Sequence, residues 1–267
     1  MSDLRNSRWF GATLALAWLV AVYLVLPMVI VLPVSVTDQR FLSLPHHAIS
    51  FKHYTALVDN PVWLSSIWRS LLVAGISTVF TVTLGTLAAI GCWRIASRSS
   101  EIVRAVLLLP MIVPSIVHAL GIYRMWINLD IIDSFFGVIL AHTITGIPFV
   151  VIAVSAALSN FDVKLERASR NLGATMWQTM RWVILPNIVP GIGAGAVFAF
   201  VHSWDEIVVL LFIAGRKIYL LPRAIWDGVH ENIDPTIASI ATILIIVTLL
   251  VMLGERWWRS RSVAVET

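Results

Sequence analysis

Asp205 and Glu206 stand side by side after 23 uncharged residues, and nine more uncharged residues follow them. A carboxylate at the centre of a membrane helix costs about 2.5–3.5 kcal/mol, so it normally faces a cavity or a partner. Three kinds of chemistry suit such a pair: proton transfer in an intramembrane enzyme, capture of a cation on its way across, or a local role as a helix-end cap or an ion pair with Arg216 or Arg223. Successive helical residues point about 100° apart, so one of the two faces a pathway while the other holds a neighbouring helix. Trp204, directly before them, adds a ring face that attracts ammonium groups. His118, His142 and His202 lie within apolar runs, one per run and without ligand spacing, which favours hydrogen-bonded packing over a metal site or a proton relay. His46, His47 and His53 share a polar stretch and read as solvated. Cys92 is the only cysteine, so there is neither a disulfide framework nor a thiolate metal cluster. The sequence has no G-x4-G-K-[ST] phosphate loop, no H-E-x-x-H and no G-x-S-x-G, so these routes to nucleotide or hydrolytic chemistry are closed.

The elements that must position these groups are membrane helices. The chain is 58% hydrophobic and 13% charged, with a mean hydropathy of +0.87, whereas soluble domains carry roughly 45–50% apolar and about 25% charged residues. Uncharged runs occupy 10–37, 70–93, 105–123, 134–161, 182–204 and 235–254, and about 20 apolar residues cross a bilayer core. The pattern predicts an all-α membrane protein, one domain over 1–267, with six transmembrane helices near 10–36, 70–93, 105–123, 134–160, 185–213 and 235–255. Residues 207–215 either extend the fifth helix or lie at the interface. The first run is too long for a signal-peptide core and has no small-residue cleavage site, so it reads as a retained anchor. Pro110 and Pro114 stand four apart inside the third run. Neither donates an amide hydrogen bond, so the helix bends and its freed carbonyls face protein or water. That suits a flexible wall of a pathway, or a static packing kink. Pro148 bends the fourth helix in the same way. Gly191, Gly195 and Ala199 form a small-residue face for close helix packing, within the chain or at a seam between subunits.

Lys and Arg set the orientation. With the N-terminus inside, segments 1–9, 94–104, 162–181 and 255–267 hold 12 of the 19 basic residues, and the longer outer segments hold the other 7. Both termini are therefore expected in the cytoplasm. The pI near 9.6 reflects this bias and gives no argument for nucleic acid. Trp63, Trp68, Trp93, Trp126, Trp257 and Trp258 lie near run ends, as an aromatic belt at the lipid interface requires.

One inner segment, 161–184, is polar and structured. Phe161, Leu165, Ala168 and Leu172 share one helical face, and Lys164, Arg167, Arg170 and Asn171 another. Asp162 or Asn160 caps the start, Gly173 ends the helix, and Thr175-x-x-Gln178 forms a capping box for a second short helix. Pro186 marks entry to the fifth membrane segment. Physics alone leaves open an amphipathic linker resting on headgroups.

Glu166-x-Ala168-x4-Gly173-Ala174, followed by Ile184-Leu185-Pro186, resembles the EAA loop, E-A-A-x3-G-x9-I-x-L-P, of permease subunits in binding-protein-dependent ABC importers. Arg167 is taken to stand in place of the pattern's first alanine. The stretches 107–126, 141–158, 203–215 and 221–229 look like the spermidine/putrescine type within this family. The resemblance implies the type I importer permease fold. It implies that Glu166, Arg167, Ala168, Arg170, Gly173, Ala174 and Pro186 belong to a loop that docks on an ATP-hydrolysing subunit. Pro110, Pro114, Trp204, Asp205 and Glu206 become candidates for the translocation path. The implied complex has two permeases, identical or paralogous, two ATP-binding subunits and an outer solute-binding protein in a bacterial inner membrane. ATP and Mg would be bound by the partner ATPase, with no cofactor in this chain, no metal site and no catalytic residues. The implied cargo is a polyamine. Ferric ion or a phosphonate is the alternative, ahead of a stand-alone channel or an intramembrane enzyme.

Overall fold

The computed structural model describes residues 8–232 and 234–263, and its regular elements are all helical. They are α1 (Arg8–Ser35), α2 (Lys52–Asp59), α3 (Pro61–Ile95), α4 (Arg98–Ile112), α5 (Ser115–Asn128), α6 (Phe135–Ser159), α7 (Val163–Asn171), α8 (Met176–Thr179), α9 (Leu185–Asp205), α10 (Val208–Ile213), α11 (Leu221–Asp227) and α12 (Thr236–Val263). Among the described residues, four helical stretches are long and apolar enough to cross a membrane: Phe10–Ser35, Pro61–Ile95, Phe135–Ser159 and Met176–Asp205. A fifth arises if α4 and α5 form one broken span, bent by 105°. In α12 the apolar stretch Thr236–Leu250 is shorter.

The chain divides into two compact units, one of residues 65–224 and one of 1–64 with 225–267. In the second of these, α1 lies along α12 and α2 also meets α12. Ser35 links them locally, its hydroxyl 2.8 Å from the Tyr54 hydroxyl and its carbonyl accepting from Ser239 at 3.2 Å. Most of α1 is exposed and apolar all round, with Trp18 67% and Tyr23 73% accessible. Such a helix suits lipid or another membrane segment rather than water. His53 departs from the solvated reading. It is buried, with Nε2 3.0 Å from the Gln39 carbonyl, because the 36–50 loop folds back over α2.

In the 65–224 unit, α6 and α9 form the tightest pair. A Cβ at Gly191 would come within 2.5 Å of the Ala157 Cβ, and one at Gly195 within 3.1 Å of the Val150 Cα. The small residues let the backbones approach where lipid offers no hydrophobic drive for association. Around this seam Ala89, Val150, Val154, Leu158, Ile184, Ile188 and Ala199 are buried together. A second buried cluster joins Val73, Ile122, Trp126, Val138, Leu210 and Ile213.

Two helices expected as single elements are broken. The third stops at Ile112 and restarts at Ser115, with Val113 and Pro114 extended between them. Pro114 has no N–H for the Pro110 carbonyl, and a residue before proline is pushed out of the helical region. The fifth ends at Asp205; Glu206 is extended, and α10 begins two residues later. Residues 207–215 are thus not a continuation of the fifth helix but a separate, largely buried turn of helix. By contrast α6 runs without interruption through Pro148.

Candidate functional site

The segment 161–184 folds as a short helical hairpin. Asp162 caps α7 by accepting from the Lys164 N–H at 2.9 Å. After α7, Ala174 N–H donates to the Ser169 carbonyl and Gly173 N–H to the Arg170 carbonyl, with Gly173 at φ +88°. These are the paired bonds of a Schellman turn, and the positive φ is open to glycine without a Cβ penalty. Thr175 and Gln178 make the reciprocal capping box of α8. The chain then widens into a π-helical stretch, Met180–Ile184, and Leu185 N–H reaches back to the Met180 carbonyl. Pro186 explains the widening, since it cannot donate to the carbonyl four residues before it. Asn187 Nδ2 bonds the Val183 carbonyl at 2.7 Å.

Glu166, Arg167, Ala168, Arg170 and Gly173 therefore sit close together, and Ala174 follows the turn. Arg167, Ala168 and Arg170 are exposed to differing degrees along α7, none of them buried. Glu166 is shielded: its carboxylate accepts from Arg94 Nη1 at 2.8 Å, and its side chain is 12% accessible. Counted back from Gly173 with the E-A-A-x3-G spacing, the pattern's glutamate falls on Arg167, and Glu166 lies one residue outside the motif. Arg94 also reaches the Met176 sulfur, so one guanidinium at the end of α3 ties α7 to α8. Ser169 and Thr179 hydroxyls meet at 2.9 Å behind them. Leu172 is 88% and Trp177 71% accessible. Large apolar groups exposed among arginines are the composition of a contact surface.

The second site is a cleft of about 380 Å³ at the α4–α5 break. It brings Pro110, Pro114 and Glu206 together with His118, Thr145, Phe149 and His202. Glu206 caps α10, Oε1 accepting from Val209 N–H at 3.0 Å, and its Oε2 lies 3.8 Å from His202 Nε2. Thr145 Oγ1 donates to the Ala141 carbonyl at 3.1 Å and lies 2.9 Å from His202 Nε2. Trp204 and Asp205 are not in the lining: Trp204 stacks on Phe200 with centroids 6.1 Å apart, and Asp205 is exposed. Among the described residues no group of three or more His, Cys, Asp or Glu is arranged to hold a metal ion.

Sequence reasoning missed Arg94, His118 and His202 as site residues. The i,i+4 spacing of His202 and Glu206 is a visible signal for one of them; the Arg94–Glu166 pair, 72 residues apart, carries none.

Residues 81–261 match the model of the family described as "Binding-protein-dependent transport system inner membrane component". The chain is 30% identical over 234 residues to the spermidine/putrescine transport system permease protein PotC of Escherichia coli (strain K12), covering 88% of each. It is 26% identical to the sulfate transport system permease protein CysT of the same strain, again over 88% of each. A chain from the crystal structure of a bacterial ABC transporter involved in the import of the acidic polysaccharide alginate superposes with a TM-score of 0.70, at 14% identity and 96% and 97% coverage. The protein is thus a non-catalytic, multi-pass transport subunit, and it belongs to the family of inner-membrane components of binding-protein-dependent transport systems.

Proposed function

We propose that this chain is the permease subunit of an ATP-driven importer and forms half of the translocation pathway for a polyamine, putrescine or spermidine. The observation that carries the importer role is the ordered hairpin α7–Gly173–α8, anchored from within by Arg94 and Glu166 and turning Leu172, Trp177 and arginines outward. A channel or secondary carrier has no need of such a surface. The cargo rests on the likeness to polyamine permeases and on the carboxylate that lines the cleft.

In this reading the whole of 1–267 acts as one permease domain with six crossings: the four long apolar stretches, the bent α4–α5 pair and α12. Both termini and the hairpin face the cytoplasm, by the distribution of Lys and Arg. The partners are two ATP-binding subunits, which hold ATP and Mg, a second permease that completes the pathway, and an outer solute-binding protein. Lipid surrounds the rest.

The test is co-purification and uptake. The chain should bring an ATP-hydrolysing subunit with it, and the complex should import labelled putrescine and spermidine. Glu206→Gln should lower that uptake in a complex that still assembles, and Asp205→Asn should do so less. Parental uptake by both variants would sink the carboxylate roles, and absence of polyamine uptake by the parent would sink the cargo. Transport without an ATPase partner would sink the importer role.

A further inference from the structure

We propose that the cleft behind the α4–α5 break is a subsite for one primary ammonium group of the cargo, in which His118 is a specificity-determining acceptor beside the Glu206 carboxylate. This rests on the reading of the cargo as a polyamine.

The cleft holds unused acceptors. Both ring nitrogens of His118 are shielded from solvent and have no hydrogen-bond partner among the described residues. A neutral imidazole has one N–H and one lone pair, and leaving buried polar atoms unmade costs about 1–3 kcal/mol. Glu206 spends Oε1 on Val209 N–H, but Oε2 is 3.8 Å from His202 Nε2, beyond hydrogen-bond distance. The Thr145 hydroxyl gives its proton to Ala141, so it accepts from His202 Nε2–H, which spends that N–H on Thr145 rather than on Glu206. Pro110 and Pro114 also line the cleft, and Pro114 supplies no amide donor for the Pro110 carbonyl.

The balance selects a cation. Among the described residues, Glu206 is the only Asp, Glu, Lys or Arg in the lining. An ammonium with three N–H groups matches a carboxylate, an imidazole lone pair and a carbonyl together. Phe149, also in the lining, offers a ring to the methylene chain or the charge. The volume of about 380 Å³ admits a diamine with some of its water. An anion such as sulfate would meet the Glu206 carboxylate with no Lys or Arg among the described lining residues to offset it.

The experiment uses the assembled complex in proteoliposomes with saturating binding protein, and reads labelled putrescine imported per ATP hydrolysed. His118→Leu should lower that ratio about tenfold. His118→Gln, which keeps an acceptor oxygen, should stay within about threefold of the parent. His118→Lys places a fixed ammonium in the subsite and should abolish import while ATP hydrolysis persists. If the leucine variant fails to assemble, the lysine–glutamine contrast decides. A purely packing role for His118 would alter assembly and hydrolysis together and leave the ratio unchanged. Parental ratios in the lysine variant overturn the subsite alone. A parent complex that imports neither putrescine nor spermidine overturns the cargo reading, and the ammonium assignment falls with it.

Discussion

Asp133 shows how much one side chain can hold together. It sits at φ +51° in the turn before α6, and its carboxylate accepts from the backbone N–H groups of Gly215, Arg216, Lys217 and Ile218 at 2.8–3.3 Å. Partial burial works to raise its pKa, but the four donors win and hold it below the usual carboxylate value. A folded-state pKa that is depressed contributes stability above the unfolded value, and that stability is lost as pH falls through the folded one. The contribution should therefore be constant from neutral pH down to the ordinary aspartate range and fade below about 3.8. Asp133→Ala should lower thermal stability by on the order of 1 kcal/mol, since solvent screens a site this open. A melt of the purified protein in detergent measures it; no change in the midpoint would mean that the 215–218 loop holds itself. Arg94 and Glu166 act in the same way at the other site. Arg94→Glu or Glu166→Arg alone should loosen the hairpin, by about 1–3 kcal/mol for a charged hydrogen bond, and the double exchange should recover part of the loss. Additive losses in that double-mutant cycle would show that the pair is not coupled.

Between elements, the α6–α9 seam should be the least tolerant surface. Gly191→Leu adds atoms where a Cβ already falls 2.5 Å from Ala157 and 3.0 Å from the Ala153 carbonyl. Overpacking of this kind costs about 1–3 kcal/mol. The variant should show a lower melting midpoint and a reduced yield of monodisperse protein, whereas Gly193→Ala, with open space beyond it, should melt like the parent. Equal behaviour of the two would place the seam elsewhere. This packing face is legible in the sequence because a four-residue spacing of small residues on a helix is a local pattern. The caps at Asp162 and Thr175 and the turn at Gly173 are legible for the same reason, as each uses residues close by in the chain. The breaks are less so. Pro110 and Pro114 announce a bend, but its 105° is set by what α4 and α5 pack against. The end of α9 at Asp205 depends on Glu206 turning its carboxylate to cap α10, a choice of partner that hydropathy does not encode. His118 and Glu206, far apart in the chain, meet in the cleft only through the packing of the helices that carry them.

For the whole molecule, the exposed arginines of α7 should belong to a contact with a soluble subunit and not only to a contact with lipid headgroups. Charge reversal at Arg167 and Arg170 together should weaken retention of the ATP-hydrolysing subunit. The parent's retention should fall with added salt, because exposed charges are screened over about 8–10 Å at ordinary ionic strength. Retention unaffected by reversal or by salt would leave these arginines to the lipid.

Whether the hairpin transmits ATP hydrolysis to transport is decided at Gly173. A Cβ added there meets nothing within 4 Å, so valine faces no steric obstacle from its neighbours, but φ +88° is closed to a β-branched residue. The measurement is ATP-driven uptake of labelled putrescine by proteoliposomes carrying the purified complex with Gly173→Val, alongside the amount of this chain inserted. Coupling through the hairpin requires normal insertion with uptake abolished. Normal uptake by Gly173→Val would contradict it.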